Sequence, residues 1–476
     1  MTSPAVNLAA VLQDNARNRP DHPALLSPQG RYTYQELWTE VSAAAAWLAE
    51  QGVTPGDRVA LALTEHPAHL SLHFAIAWLG GVLVPLDHRW TVREKQAVAG
   101  AMAVALLIHE ASAEAIEGTR CAALPSAFDP RRAPPIYLAG DPVWLVSLSS
   151  GTTGQPKGSL VTHQQMLERF INQWVTLGFN ANDRFYAATP LYFGAGRSFA
   201  LCFLIAGATV IMSPPPQKPE QVLREVADSE ATVAFLVPTQ LRRIAPLVQD
   251  APAWPGLRRL VVSGEPLFPE EAREFQQTLC PRLLAYYASS EGGGISILQP
   301  EEFAQHADTV GRPGFRVEVA IVDGDGKLVN AGEVGRLRYR SPGLAQTFVD
   351  EAGKAQAHPD GWFYPGDLAS QDERGFVTLR GREKDMIIRG GVNIYPAEIE
   401  RFLAGLGGVT EAAVVGRDAA QRGQEVVAFY AGSAAPEELE AACREQLAPY
   451  KVPSRFERRE ELPKAASGKI NKKQLA

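Results

Sequence analysis

The sequence predicts an α/β protein with a large N-terminal domain of parallel-rich sheets covered by helices and a small α+β C-terminal domain. Three observations lead there. The chain has 476 residues, too many for one ordinary core. Helical stretches alternate with short continuous Val/Ile/Leu runs, the pattern of parallel strands buried on both faces. After about residue 380 the composition turns glycine-rich and charged, and that alternation ends.

In order, "YTYQELWTEVSAAAAWLAEQGVTPGDRVAL" predicts an amphipathic helix over Tyr34 to Glu50, a turn at Thr54-Pro55-Gly56-Asp57 and a buried strand over Arg58 to Leu63. A helix near Pro67 to Leu79 precedes "GGVLVPLD", and one over Pro219 to Ser229 precedes "TVAFLVP"; "LRRLVVSGEPL" continues the series. The longest apolar runs, "LHFAIAWLGGVLVPL" and "FALCFLIAGATVIM", fall short of the roughly 20 residues a membrane span requires, so they read as core. Behind "GREKDMIIRGGVNIYPAEIE" come "EAAVVGRD", "EVVAFYAG" and the helix-like "PEELEAACREQLAPYKVP". These predict a domain over 384–476, joined to 1–383 by a linker near Lys384.

Composition narrows the function. Apolar residues are 46% and charged residues 21%, the balance of a soluble globular chain. With 46 basic against 53 acidic residues, a net charge of −7 and no basic block, a nucleic-acid partner is not expected on electrostatic grounds. Cys121, Cys202, Cys280 and Cys443 are too widely spaced for a metal knuckle or a disulfide framework, which suits a reducing cytosol. The first twenty residues have no basic leader before an apolar core, so a cytoplasmic protein is expected.

The chemistry begins at "LSSGTTGQPKG", Leu148 to Gly158. A glycine-rich turn lets backbone N–H groups converge on phosphate oxygens. The hydroxyls of Ser149, Ser150, Thr152 and Thr153 add donors around Gly151 and Gly154, and Lys157 adds a mobile charge. It is not a Walker A loop, because Gly158 follows the lysine. Taken alone, the stretch also fits a glycine-rich surface turn. In "VVSGEPL", Gly264, Glu265 and Pro266 follow an apparent strand, where open parallel sheets bind ligands. In "YYASSEGGG", a carboxylate beside a phosphate site makes sense only with a cation between them.

With "YTYQEL", "GGVLVPLD", "GRPGFRVEVAIVD", "GWFYPGDL", "LRGREKDMIIRGGVNIYPAEIE" and "PKAASGKI" in the same order, the chain closely resembles the adenylate-forming superfamily of acyl-CoA synthetases, peptide-synthetase adenylation domains and luciferases. The resemblance runs from about residue 32 to the C-terminus. It implies that Ser149 to Gly154 and Lys157 hold ATP phosphates, that adenine lies against the Gly264–Pro266 backbone, and that Tyr287 stacks on it. Ala288 and Ser289 belong to the same ATP site, with Ala288 also tightening the acyl pocket floor; Ser290 touches the α-phosphate or acyl carbonyl, and Glu291 binds Mg²⁺. Asp367 would take the ribose hydroxyls with Arg382 as companion, Lys384 would be the hinge of a mobile lid, and Gly390 and Gly391 would line the pantetheine tunnel. Lys469 would bridge the carboxylate and the α-phosphate.

Tyr192, Phe193, Gly194, Gly196 and Gly292 would wall the acyl group. Departures from the family pattern are Phe193 for histidine, Ala288 for glycine, and Ser290, Pro365 and Ala465 for threonine. Peptide-synthetase domains place an aspartate near this wall to pair with an α-ammonium; none stands between Pro190 and Leu201. Arg197 reads as facing a second carboxylate or as a surface or sheet-edge arginine. The implied activity is ATP-dependent activation of a fatty or aryl acid, not an α-amino acid, and its transfer to CoA. A carrier-protein phosphopantetheine is the alternative acceptor. A nucleotide-binding regulator without catalysis is the rival class, disfavoured by the presence of Glu291 and Lys469.

Overall fold

The computed structural model describes residues 6–110, 116–150, 156–215, 217–349, 354–358, 360–389, 392–419, 423–464 and 470–475. The chain divides into two compact units. The larger takes Met1–Gln305, Pro313–Glu318 and Arg340–Phe363; the smaller takes His306–Arg312, Val319–Tyr339 and Tyr364–Ala476.

Two sheets organise the larger unit. In a nine-stranded sheet, six strands run parallel in the order Leu283–Ser289, Arg259–Val262, Val233–Leu236, Arg184–Ala187, Thr209–Met212, Pro23–Ser27. Gly293–Leu298 and Gly30–Thr33 add antiparallel strands beyond them. In an eight-stranded sheet, Val143–Ser150, Val82–Pro85, Arg58–Ala62, Leu106–His109 and Cys121–Ala123 run parallel. Strands such as Val233–Leu236 are buried at every position, which is why they read as unbroken apolar runs.

The helix over Tyr34–Glu50 has its expected bounds, begun by a reciprocal cap between Thr33 and Glu36. Both long apolar runs are split by a left-handed glycine, as their length required. The helix Pro67–Trp78 gives way at Gly80 (φ +72°) to Val82–Pro85, and Gly194–Ala206 gives way at Gly207 (φ +82°) to Thr209–Met212. Among the described residues no helix is long and apolar enough to cross a membrane.

The smaller unit is α+β. The strands Asp367–Gln371 and Val377–Arg382 pair antiparallel in a four-stranded sheet. Val409–Ala419, Gly423–Gly432 and Ile387–Arg389 belong to a second sheet. The helices Pro396–Ala404 and Pro436–Gln446 add Ile399, Leu403, Leu439 and Cys443 to a core with Val414, Val426 and Tyr430.

Candidate active site

Four stretches of the larger unit carry expected site residues. The hydroxyl-and-glycine loop joins two antiparallel strands, Val143–Ser150 and Pro156–Thr162, with Ser149 opposite Lys157. Gly151, Thr152, Thr153 and Gly154 lie outside the described residues. Gly158 is required by packing, since a Cβ there would lie 2.4 Å from Val146 Cγ1.

The loop after Arg259–Val262 turns at Gly264, φ +93°. Here the Glu265 carboxylate faces its own scaffold. Its Oε2 accepts from the Thr239 hydroxyl at 2.6 Å and from the Thr239 N–H at 3.2 Å. Arg242 lies 3.6 Å from the same oxygen and donates to the Pro266 carbonyl at 3.2 Å. The side chain of Glu265 is thereby spent on holding the loop.

The Ser289–Gly292 turn shows the reverse economy. Strand Leu283–Ser289 carries Tyr287, half-buried, and Ala288, exposed, to the turn, and the Gly292 N–H donates to Ser289 Oγ at 3.2 Å. The Ser290 carbonyl accepts from Ser147 Oγ at 2.9 Å and from Arg169 Nη1 at 3.3 Å. The Glu291 carbonyl accepts from Arg169 Nη2 and from the Ala345 N–H at 2.9 Å. Among the described residues, neither the Ser290 hydroxyl nor the Glu291 carboxylate makes a hydrogen bond or ion pair. The backbone is committed and the chemically useful side chains are left open.

The acyl segment precedes the helix Gly194–Ala206. Tyr192 is buried, with its ring 5.9 Å from His88, 4.7 Å from Phe193 and 5.4 Å from the Arg89 guanidinium. Burial pushes its phenol up to about 12. Gly194 is open, whereas a Cβ on Gly196 would lie 2.3 Å from the Thr189 carbonyl oxygen, so that glycine admits backbone. Gly292, across the chain, is buried.

Arg197 departs from both expectations. It is neither at the surface nor aimed at an open second-carboxylate site; it is 2% exposed and donates to the carbonyls of Leu191 at 2.9 Å and Tyr192 at 3.3 Å. Burial, then the charge of Arg169, pushes its guanidinium down to about 9, so it stays protonated at neutral pH and both bonds are charge-assisted. The Leu191 N–H is taken by the buried Glu65 at 2.9 Å.

In the smaller unit, Asp367 and Arg382 are directly opposite in register, with Arg382 Nε 3.0 Å from Asp367 Oδ1. Arg382 also donates to the Pro365 carbonyl at 2.5 Å, closing the Gly366 turn (φ +81°). Lys384 is exposed in the short 3₁₀ turn Glu383–Asp385. Gly390, Gly391, Ala465 and Lys469 lie outside the described residues.

A family model described as AMP-binding enzyme matches residues 12–349, and one described as AMP-binding enzyme C-terminal domain matches 398–469. The chain belongs to the AMP-binding enzyme family. It is similar to a feruloyl-CoA synthase of an Amycolatopsis species, 33% identical over 96% of each chain. It is 30% identical to a 2-succinylbenzoate–CoA ligase of Bacillus licheniformis over 98% of each. Among solved structures, o-succinylbenzoate CoA synthetase from Bacillus subtilis with its acyl-adenylate intermediate superposes with a TM-score of 0.88 at 26% identity, covering 98% of this chain and 97% of that one. The same enzyme with ATP and magnesium gives 0.87 at 26% identity over 98% of each. The adenylate-forming resemblance and the two-part α/β fold are borne out.

Three supporting residues of this AMP-binding chain escaped the motif reading: Arg169, Arg242 and Glu65. A signal existed for Arg169. In the helix His163–Leu177 it shares the buried face of Met166, Phe170 and Gln173, where helical spacing puts a charge on an apolar stripe.

Proposed function

We propose that this AMP-binding enzyme converts a fatty or aryl carboxylic acid, not an α-amino acid, to its acyl-adenylate with ATP and then transfers the acyl group to CoA. The single observation that carries the reading is the turn at 289–292: clamped carbonyls below, an uncommitted Ser290 hydroxyl and Glu291 carboxylate above. That donor set is all oxygen, which fits a hard cation such as Mg²⁺, and Glu291 is the residue to hold it. When bound, the ion offsets charge on the phosphates.

A free carboxylate repels nucleophiles and has no good leaving group. In the first half-reaction its oxygen forms a bond to the α-phosphorus while the bond to the bridging oxygen breaks, and pyrophosphate leaves. Ser290 would donate to an α-phosphate or acyl oxygen, and Lys469 would stabilise the charge developing there. In the second, the thiol gives its proton to solvent, sulfur bonds the acyl carbon, and the bond from that carbon to the phosphate oxygen breaks, so AMP departs. The reading assigns 1–383 to ATP and acid and 384–476 to the lid, with Lys384 as hinge between half-reactions. Asp367 with Arg382 would take the ribose, and Gly390-Gly391 would leave room for pantetheine. The named substrates of the relatives favour an aryl acid, and Tyr192 with Phe193 supplies a matching wall. We take the enzyme to be cytoplasmic, where ATP and CoA are supplied.

The test is carboxylate-dependent ATP–pyrophosphate exchange without CoA, across ferulate, 2-succinylbenzoate, fatty acids of several lengths and dicarboxylic acids. One acid class should support exchange, and Lys469→Ala should lower its rate about a hundredfold or more with ATP still bound. Near wild-type exchange by that variant would overturn the assignment of Lys469. AMP release with CoA against a phosphopantetheinylated carrier protein then decides the acceptor.

A further inference from the structure

The residue that fixes the nucleotide-facing turn lies in none of the motifs. Arg169 stands on the buried face of the helix His163–Leu177, 6% exposed. Thr162 and Gln165 cap that helix reciprocally, so its start is set by the sequence. Among the described residues the guanidinium donates to carbonyls on two other stretches: Nε to Gly343 at 2.8 Å, Nη1 to Ser290 at 3.3 Å, Nη2 to Glu291. Its stem has no slack. A Cβ on Gly343 would lie 2.8 Å from Arg169 Cγ, and one on Gly293, which already needs φ +75°, would lie 3.2 Å from it. Two glycines therefore make the slot that the arginine fills.

We propose that Arg169 is a positioning residue for the metal- and phosphate-facing turn. It presents the Glu291 carboxylate and the Ser290 hydroxyl by locking the carbonyls of those same two residues. The inference rests on the reading of Glu291 given above and deepens it. The physical reason is the fork. A planar guanidinium satisfies the carbonyls of two successive peptides at once, so neither the Ser290–Glu291 nor the Glu291–Gly292 peptide can rotate without breaking a charge-assisted bond. A lysine has the charge but not the fork. Residues behind a metal ligand typically alter affinity or activity about 10–100-fold when changed.

The experiment is calorimetric titration of ATP into the full chain at stepped magnesium chloride concentrations, with no acid or CoA present. Four proteins are compared: wild type, Arg169→Lys, Glu291→Gln and the double variant. The magnesium-dependent gain in ATP affinity should fall about tenfold or more in Arg169→Lys. ATP affinity without magnesium should stay near wild type. In the Glu291→Gln background the same lysine substitution should change the magnesium dependence little, because a residue that acts through another is non-additive with it. Equal effects of Arg169→Lys in both backgrounds, or an unchanged magnesium dependence in Arg169→Lys alone, would overturn the proposal. An unchanged dependence in Glu291→Gln would instead remove Glu291 as the ligand. Should Arg169→Lys fail to fold, Gly343→Ala displaces the arginine stem without removing its charge and should produce the same loss of magnesium dependence; wild-type dependence there would count against the inference.

Discussion

The Ser289–Gly292 turn and the Pro190–Phe193 segment each rest on a buried arginine, but the arginines come from different distances along the chain. Arg197 reaches back five and six residues to the carbonyls of Tyr192 and Leu191. Arg169 reaches 121 and 122 residues forward to those of Ser290 and Glu291. What the two stretches keep free also differs. The turn commits its carbonyls and leaves a hydroxyl and a carboxylate open, whereas the segment commits its carbonyls and the N–H groups of Leu191 and Phe193, and also packs Tyr192 among Phe193, His88 and Arg89. A stretch with free polar side chains on a fixed backbone suits charge chemistry. One whose side chains are themselves packed suits shape selection.

The sharpest way to break this division is at Glu291. Glu291→Gln keeps the size and the backbone bonds while removing the charge, and the exchange rate should drop about a hundredfold, with a raised magnesium requirement. The KM for the acid should stay near wild type. A large rise in acid KM, with magnesium dependence intact, would show that the turn shapes the acyl pocket instead.

Arg197 should give the opposite split with a smaller effect on rate. Arg197→Met preserves much of the volume and leaves the Leu191 and Tyr192 carbonyls without their charged donor. Leaving a buried carbonyl unpaired costs about 1–3 kcal/mol, offset in part because a buried charge is also removed. Urea unfolding should move to lower denaturant, acid KM should rise, and magnesium dependence should not change. A variant with wild-type acid KM would mean that the wall does not depend on this clamp.

The two clamps also mark what the residue order discloses. The helix Tyr34–Glu50 was legible because its apolar face is a local pattern. The strand-and-glycine alternation was legible for the same reason, and so was the Asp367–Arg382 partnership through the family motifs. Arg197 was misread because a charged residue is ordinarily exposed; here it caps the carbonyls of its own helix entrance inside an apolar helix. Glu265 belongs to a recognised motif, yet nothing in the motif says that its carboxylate turns inward to Thr239. The Arg169 contacts join strands and loops far apart in sequence, and no local period encodes such a meeting.

Glu65 offers the finest test of the acyl segment, because it should alter stability with pH while leaving the acid KM in place. Glu65 is 9% exposed, and its carboxyl is pushed up to about 8, first by burial, opposed by the Leu191 N–H and assisted by the charge of Asp87. His69 Nδ1 lies 3.8 Å away, but burial keeps that ring neutral, so it supplies no counter-charge. The folded protein therefore holds a proton on Glu65 that the unfolded chain has already released. Stability from this group is complete below the ordinary carboxylate range, near 4.5, and is lost as pH rises toward about 8. His69 and His73 act in the opposite sense at lower pH, since their depressed values make the unfolded chain the better proton acceptor. The difference between wild type and Glu65→Gln cancels those contributions. Glutamine retains a carbonyl acceptor for Leu191, so the variant should match wild type in acid and become progressively more stable relative to it up to about pH 8. Urea midpoints measured across that range would check this; parallel curves would mean that Glu65 is ionised in the folded protein and that its hydrogen bond to Leu191, not its burial, governs the site.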